Sequence, residues 1–85
     1  PEAHELWFGL GNVRYRLTQP AAAEAAWHTA LQLKPVAAPA RLNLIELLLE
    51  QRRKQEALAL LDGGEALEPG RIEYQALRRR LAVAD

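Results

Sequence analysis

The chain has 85 residues and no net charge at pH 7, with 49% hydrophobic and 26% charged residues. This length supports one domain, and the balanced charge argues against a nucleic-acid partner, because nucleic-acid affinity depends largely on Lys and Arg that neutralise phosphates. Cysteine is absent, which excludes disulfides and thiolate metal sites, and no apolar stretch approaches the roughly 18 residues that a membrane-spanning helix needs.

Methionine is also absent, and the first residue is Pro1. A translated chain begins with methionine, so we expect the sequence to be a segment of a longer protein or a processed product.

Five helical segments are predicted in chain order. Helix-forming residues dominate and β-branched residues are scarce, and between the helix breakers the apolar residues recur at helical spacing. The predicted segments are about 2–17, 21–33, 39–50, one that starts near 54, and 72–83. Short loops between helices of this length are typical of antiparallel hairpins.

The fourth segment contains Gly63-Gly64, and two interior glycines cost about 2 kcal/mol relative to alanine. The apolar pattern nonetheless resumes at Ala66-Leu67, before Pro69. We therefore expect the helix to continue through both glycines.

The sequence resembles itself at an offset of 34 residues, which indicates stacked structural units. The matching pairs are Leu10 and Leu44, Ala23 and Ala57, Trp27 and Leu61, Leu33 and Leu67, and Pro35 and Pro69.

The first unit contains Trp7-x2-Leu10-Gly11, then Ala23-x3-Trp27, then Pro35. This spacing resembles the tetratricopeptide repeat, whose pattern is W-x2-L-G-x2-Y, then A-x3-F, then P. The resemblance implies an all-α fold of five helices, in which antiparallel helical hairpins stack as a short right-handed superhelix. Repeat one would cover about 4–37, repeat two about 38–70, and a capping helix about 71–84.

The family pattern also implies packing roles. Trp7 and Leu10 would face the partner helix of the hairpin, and Trp27 would be the large side chain between one hairpin and the next. Small residues at Gly11 and Ala23 would let the two helices approach closely.

Several positions depart from the pattern. Arg14 occupies the usual aromatic position, where neighbouring Tyr15 could compensate. Ile45 replaces the small residue of the second copy, so that hairpin should open slightly, whereas Gly64 should be sterically harmless. One residue is missing near Gly70, and the capping helix would have a polar outer side formed by Gln75, Arg78, Arg79 and Arg80.

In this family the first helix of each hairpin lines a concave groove, which implies a set of partner-binding residues. The set is Glu5, Phe8, Asn12, Arg16, Leu42, Asn43, Glu46 and Leu49. Tyr15 would lie at the border, Gly9 and Glu50 would contribute, and the last helix would add Ile72, Gln75, Ala76 and Arg79.

Asn12 and Asn43 give the most specific indication of a binding site. The resemblance implies this role because family members use asparagines at these two positions to hydrogen-bond a ligand's backbone or terminal carboxylate. An amide side chain offers both a donor and an acceptor. The alternative is a pair of surface asparagines with no ligand.

Phe8 stands where the carboxylate-binding members have lysine, which argues against a ligand of the chaperone-tail type. The side chains of Phe8, Leu42 and Leu49 would instead make apolar contacts with an extended or helical segment. Alternatively, these side chains cover one another or pack on a flanking part of the parent protein.

Catalytic and metal-binding patterns are lacking in the sequence. There is no serine, His4 and His28 fall on different helices without zinc-ligand spacing, and Gly9-x-Gly11 lies inside a helix rather than after a strand. We therefore predict no enzymatic activity, no cofactor and no metal.

The sequence predicts a protein–protein interaction module that binds a peptide or partner segment in the groove. One alternative is a structural role, either self-association as a homo-oligomer or a spacer in a longer helical array. Another is an accessory domain of an enzyme.

Overall fold

A computed structural model describes residues 2–83 of the chain. It contains five helices, which are α1 (Ala3–Arg16), α2 (Pro20–Leu33), α3 (Ala38–Glu50), α4 (Lys54–Leu67) and α5 (Ile72–Val83). The predicted all-α class and the five predicted helices are confirmed, and these residues form no strand. The predicted end of the capping helix at residue 84 lies outside the described residues.

The helices pack in chain order, with α1 on α2, α2 on α3, α3 on α4 and α4 on α5. This is the arrangement expected for two consecutive hairpins followed by a single helix. The α1–α2 hairpin is packed more extensively than the α3–α4 hairpin, as the bulk of Ile45 led us to expect.

The helix boundaries follow the helix-breaking residues in the sequence, proline in particular. Pro20 is the first residue of α2, where the missing N–H costs no hydrogen bond. The same helix ends at Leu33, before the Lys34-Pro35 pair that resists helical geometry. Helix α4 continues through both glycines to Leu67, as predicted.

The turns inside the two hairpins share an unusual backbone conformation. Thr18 and Arg52 have positive φ angles of 55° and 60°, in the left-handed region that L-residues rarely adopt. Their N–H groups donate to the carbonyls of Tyr15 (3.0 Å) and Leu49 (3.1 Å). The two residues are related by the repeat offset, so each hairpin turns in the same way.

The core lies mainly at the interfaces between successive hairpins. The first core cluster joins α2 to α3 and consists of Ala23, Trp27, Ala30, Leu31, Ala37, Ala40, Leu44 and Leu47. The second core cluster joins α3 and α4 to α5 and consists of Ala38, Ile45, Leu48, Ala57, Leu61, Tyr74, Leu77 and Leu81. The expected position of Trp27 between two hairpins is confirmed.

Helix α1 takes a smaller part in the core, because Gly11 is its only buried residue. Trp7 and Leu10, which we expected to face the partner helix, keep 40% and 37% of their surface exposed. No described helix covers the far side of α1, so part of each side chain stays open to solvent.

The two hairpins differ in which helix carries the larger interior side chain. A Cβ atom at Gly11 would overlap the indole of Trp27, which confirms that this position must be small. At the equivalent positions of the second hairpin, Ile45 and Leu61 are both fully buried. A larger residue on the first helix thus accompanies a smaller one on the second helix.

Gly64 is not merely harmless, as we had expected, but is required by its neighbours. A Cβ atom there would lie 2.7 Å from Cζ of Tyr74 and 2.8 Å from Cδ of Arg41. Arg41 is buried, and its guanidinium donates to the carbonyls of Pro35 (2.9 Å) and Leu60 (3.0 Å). The missing side chain at Gly64 therefore makes room for both an arginine stem and a tyrosine ring.

Candidate partner-binding cleft

A cleft of about 340 Å³ lies between α1 and α3. It brings together four of the predicted site residues, because α1 and α3 occupy equivalent places in consecutive hairpins. The lining residues are Asn12, Tyr15, Arg16, Trp27, Asn43, Glu46, Leu47 and Glu50. We refer to this space as the α1–α3 cleft.

The two asparagines are bonded to each other and to the core tryptophan. Nδ2 of Asn43 donates to Oδ1 of Asn12 (3.0 Å). Nε1 of Trp27 donates to the same oxygen (3.2 Å) and to the carbonyl of Phe8 (3.2 Å). Within residues 2–83, the NH2 group of Asn12 and the carbonyl oxygen of Asn43 have no hydrogen-bond partner. The pair therefore keeps one donor group and one acceptor for a ligand.

Polar contacts fix both edges of the α1–α3 cleft. The Tyr15 hydroxyl donates to Oε2 of Glu50 (2.7 Å), and this bond is the main reason that the pKa of Tyr15 lies above its usual range. The Tyr15 ring also packs on Trp27, with 5.9 Å between ring centroids. From α5, the Arg80 guanidinium donates to Oε1 (2.8 Å) and Oε2 (3.2 Å) of Glu46. Exposed pairs of this kind add little stability, but they order the side chains around the cleft.

Arg16 brings an accessible positive charge to the α1–α3 cleft. Its side chain is exposed and forms no ion pair with the part of the chain that the structure describes. The carboxylates that share the cleft already have partners, since Glu50 accepts from Tyr15 and Glu46 accepts from Arg80. The cation is therefore available to a carboxylate of a ligand.

The other four predicted site residues lie elsewhere. Glu5 and Phe8 line a separate groove of about 320 Å³ near the start of α1, and Phe8 also packs against the first core cluster. Leu42 lines a cleft of about 430 Å³ between α3 and α5. Leu42 and Leu49 both pack against the second core cluster. The three apolar side chains expected to contact a ligand are thus partly buried against the core.

Helix α5 is rotated relative to the sequence-based expectation. The α3–α5 cleft is lined from α5 by Glu73, Ala76, Leu77 and Arg80, so Ala76 lies where we expected, and Arg79 does not line this cleft. Burial of Tyr74 and Leu77 against α4 sets the rotation of the helix. Arg80 consequently faces α3, and the prediction that it lies on the outer side is wrong.

Two other arginines form ion pairs with neighbouring helices. Arg78, predicted on the outer side of α5, pairs with Asp62 and Glu65 of α4. Arg53, in the turn between α3 and α4, donates to Oε1 (2.7 Å) and Oε2 (2.9 Å) of Glu24 in α2. These hydrogen bonds hold the pKa of Glu24 below its ordinary value.

Two other features are absent from residues 2–83. Among residues 2–83, no helix combines the length and apolar content that a membrane-spanning segment requires. The same residues contain no cluster of three or more His, Cys, Asp or Glu side chains that could hold a metal ion.

Sequence reasoning missed the contribution of Trp27 and Leu47 to the α1–α3 cleft. Trp27 was expected between the two hairpins, and both residues are buried. Each nonetheless presents part of its surface to the cleft. A core residue that also forms the wall of a cleft has no separate signal in the sequence.

The sequence profile of the tetratricopeptide repeat family matches residues 1–81, which is nearly the whole chain. Comparison with curated proteins and with solved structures gave no significant match. Members of this family are generally non-catalytic scaffold modules that bind protein partners. The length of the profile match, together with five helices packed as two hairpins and a final helix, shows that the chain belongs to the tetratricopeptide repeat family.

Proposed function

We propose that this chain binds an extended peptide segment of a partner protein in the α1–α3 cleft. The observation that carries this proposal is the bonded pair of Asn12 and Asn43. The pair leaves an NH2 donor on Asn12 and a carbonyl acceptor on Asn43 without a partner among residues 2–83. A peptide group in an extended segment offers the complementary carbonyl and N–H.

The partner segment would carry an acidic group close to the bound peptide group. Arg16 lines the same cleft, and a guanidinium forms charge-assisted, often bidentate, hydrogen bonds with carboxylates. Phe8 occupies the position of the lysine that carboxylate-binding family members use. We therefore propose that one acidic group of the ligand contacts Arg16. The full set of cations that binds a chaperone tail in other family members is not proposed here.

The proposed organisation is one domain with repeat one at about 4–37, repeat two at about 38–70 and a capping helix at about 71–84. In this view the chain is a binding module without catalytic activity, cofactor or metal. Nucleic acid is not among the proposed partners, because the basic runs 52–54 and 78–80 each contain an arginine paired with a carboxylate, Arg53 with Glu24 and Arg78 with Glu65.

A second candidate function is structural, as a homo-oligomer or as part of a longer helical array. The exposed apolar side chains of α1 favour this reading. It concerns a different surface and does not compete with peptide binding for the same residues.

Selection from a peptide display library tests the proposed function. The immobilised chain should enrich peptides that share an acidic residue at a fixed position. Arg16→Glu should weaken a selected peptide by about tenfold or more, which corresponds to at least 1.4 kcal/mol. Arg79→Glu is the matched control, because Arg79 is also exposed but does not line the cleft.

Two results would count against the proposal. One is a failure of the wild-type chain to enrich any peptide family. The other is an equal loss of affinity in both charge-reversal variants, because a general effect of net charge would then explain the binding.

A further inference from the structure

The indole N–H of Trp27 is a polar group at a position where the repeat pattern is apolar. The family pattern has phenylalanine there, and the equivalent residue of the second repeat is Leu61. Neither of those side chains carries a hydrogen-bond donor. In this chain, Nε1 of Trp27 donates from α2 to two acceptors on α1, Oδ1 of Asn12 and the carbonyl of Phe8, at 3.2 Å each.

The surroundings of Trp27 hold its N–H at this place. The side chain is 3% exposed and belongs to the first core cluster. A Cβ atom at Gly11 would overlap Nε1 and Cδ1 of the indole, so the glycine provides the space that lets the N–H approach α1. The Tyr15 ring packs on the same indole. Trp27 therefore has little freedom to turn its N–H away from Asn12.

This N–H fixes the orientation of both side-chain amides, because an indole nitrogen only donates. The atom of Asn12 that faces Nε1 must be the oxygen, since its NH2 group would place a donor against a donor. The same oxygen lies 3.0 Å from the side chain of Asn43, so the atom of Asn43 that faces it must be Nδ2. Without the indole N–H, the opposite orientation, in which Asn12 donates to Asn43, would satisfy the two amides equally well.

We infer that Trp27 is a positioning residue that determines which chemical group of the ligand each asparagine binds. In the orientation that it fixes, Asn12 donates to a carbonyl of the ligand, and Asn43 accepts from an N–H of the ligand. We call this arrangement the Asn12–Asn43 orientation. The assignment of ligand groups rests on the proposed peptide binding, whereas the orientation itself is a property of the free chain.

The charged residues of the α1–α3 cleft agree with this assignment. Arg16 adds a cation on α1, the helix whose asparagine donates to the ligand. Glu46 and Glu50 place carboxylates on α3, the helix whose asparagine accepts. The α1 side of the cleft therefore binds acceptors of the ligand, and the α3 side binds its N–H donors.

Aspartate substitutions test the Asn12–Asn43 orientation without any ligand. Asn12→Asp keeps an oxygen toward the donors of Trp27 and Asn43. Asn43→Asp instead places a second oxygen against Oδ1 of Asn12, so its urea-unfolding midpoint should lie clearly below that of Asn12→Asp. Both variants add the same charge to the same cleft, which makes each the control for the other. The opposite orientation predicts the opposite ranking.

Trp27→Phe tests whether the indole is the cause. Phenylalanine is the family's residue at this position, and circular dichroism verifies that the variant remains helical. Without the indole N–H, Asn12 can turn its NH2 group toward the new carboxylate at position 43. The loss of urea-unfolding midpoint caused by Asn43→Asp should therefore largely disappear in the Trp27→Phe background. A purely structural role of the ring predicts the same loss in both backgrounds.

A peptide selected by the wild-type chain tests the assignment of ligand groups. Each peptide bond is replaced in turn by an ester, which removes one N–H with little change of shape. The ester that removes the N–H bound by Asn43 should weaken binding to the wild type by about tenfold. The same ester should cost no further affinity in Asn43→Ala, whereas Asn12→Ala should remain sensitive to it.

Four outcomes would overturn parts of this inference. An Asn43→Asp variant at least as stable as Asn12→Asp would overturn the Asn12–Asn43 orientation. An equal cost of Asn43→Asp with and without the indole would overturn the role of Trp27. An ester effect that disappears in Asn12→Ala but persists in Asn43→Ala would overturn the assignment of ligand groups. A chain that enriches no peptide would refute the proposed function and that assignment with it, and the two stability comparisons would still decide the orientation.

Discussion

Replacing Gly64 with alanine is expected to destabilise the chain, although alanine is the better helix former. The position lies inside α4, where the change from glycine to alanine ordinarily stabilises a helix by about 1 kcal/mol. Here the added Cβ would lie 2.7 Å from Cζ of Tyr74 and 2.8 Å from Cδ of Arg41, closer than real Cβ contacts allow.

The cost of this overlap exceeds the gain in helix propensity. Tyr74 is 1% exposed and is among the largest fully buried side chains, so its ring has little space into which to retreat. Forcing an extra methyl group into a packed core costs about 1–3 kcal/mol. After subtraction of the propensity gain, Gly64→Ala should lower the free energy of unfolding by about 1 kcal/mol.

Gly9→Ala is the matched control, since it makes the same chemical change inside another helix. A Cβ at Gly9 would meet no heavy atom within 4 Å apart from its chain neighbours and the nearby backbone of its own helix. This variant should therefore raise the free energy of unfolding by about 1 kcal/mol. Urea unfolding followed by far-ultraviolet circular dichroism measures both changes under the same conditions.

The two variants should move the free energy of unfolding in opposite directions. A Gly64→Ala variant that is as stable as the wild type, or one that gains stability together with Gly9→Ala, would refute the reasoning. The α4–α5 interface would then be looser than the structure shows.

Three further predictions concern single side chains. Gly11→Ala should lower the free energy of unfolding by about 1 kcal/mol or more, because its Cβ would overlap the Trp27 indole. A variant that is more stable than the wild type in urea unfolding would contradict this. Thr18→Gly should raise the midpoint of thermal unfolding, because it relieves about 1 kcal/mol of left-handed backbone strain; an unchanged or lower midpoint would contradict it. Arg53 lowers the pKa of Glu24 from its ordinary 4.5, so the bond contributes fully above pH 4.5 and is lost as the pH falls through the lowered value. The wild type should therefore exceed Glu24→Gln in stability at neutral pH and converge with it in acid, whereas a difference independent of pH would count against the contact.

The helices and their order could be predicted because the relevant signals are local. Proline marks the start of α2 and the residues after its end, and the offset of 34 residues shows which helices are equivalent. The continuation of α4 through its glycines was also predicted from the apolar residues that follow them. Tertiary packing then supplied the reason for one of these glycines, since Gly64 accommodates Tyr74 and Arg41.

The parts of the site that depend on long-range contacts could not be predicted. The choice of Arg79 rather than Arg80 for the face toward α3 failed, because the rotation of α5 is set by burial of its tyrosine and leucines against α4. The bond from Trp27 to Asn12 joins two helices and leaves no trace in residue spacing. Trp7 has the family's core residue type, yet it stays partly exposed, because no described helix lies on the far side of α1.

The most direct test of peptide recognition in the α1–α3 cleft is nitrogen–proton correlation NMR of the side-chain amides, recorded while a selected peptide is added. The NH2 resonances of Asn12 and Asn43 should shift, and the dissociation constant fitted to these shifts should equal that of peptide binding. Gln75 is the internal control, because it is exposed on α5 and does not line this cleft. Saturable binding that shifts the Gln75 resonances but leaves both asparagine amides unchanged would contradict recognition in this cleft and place the peptide on another surface.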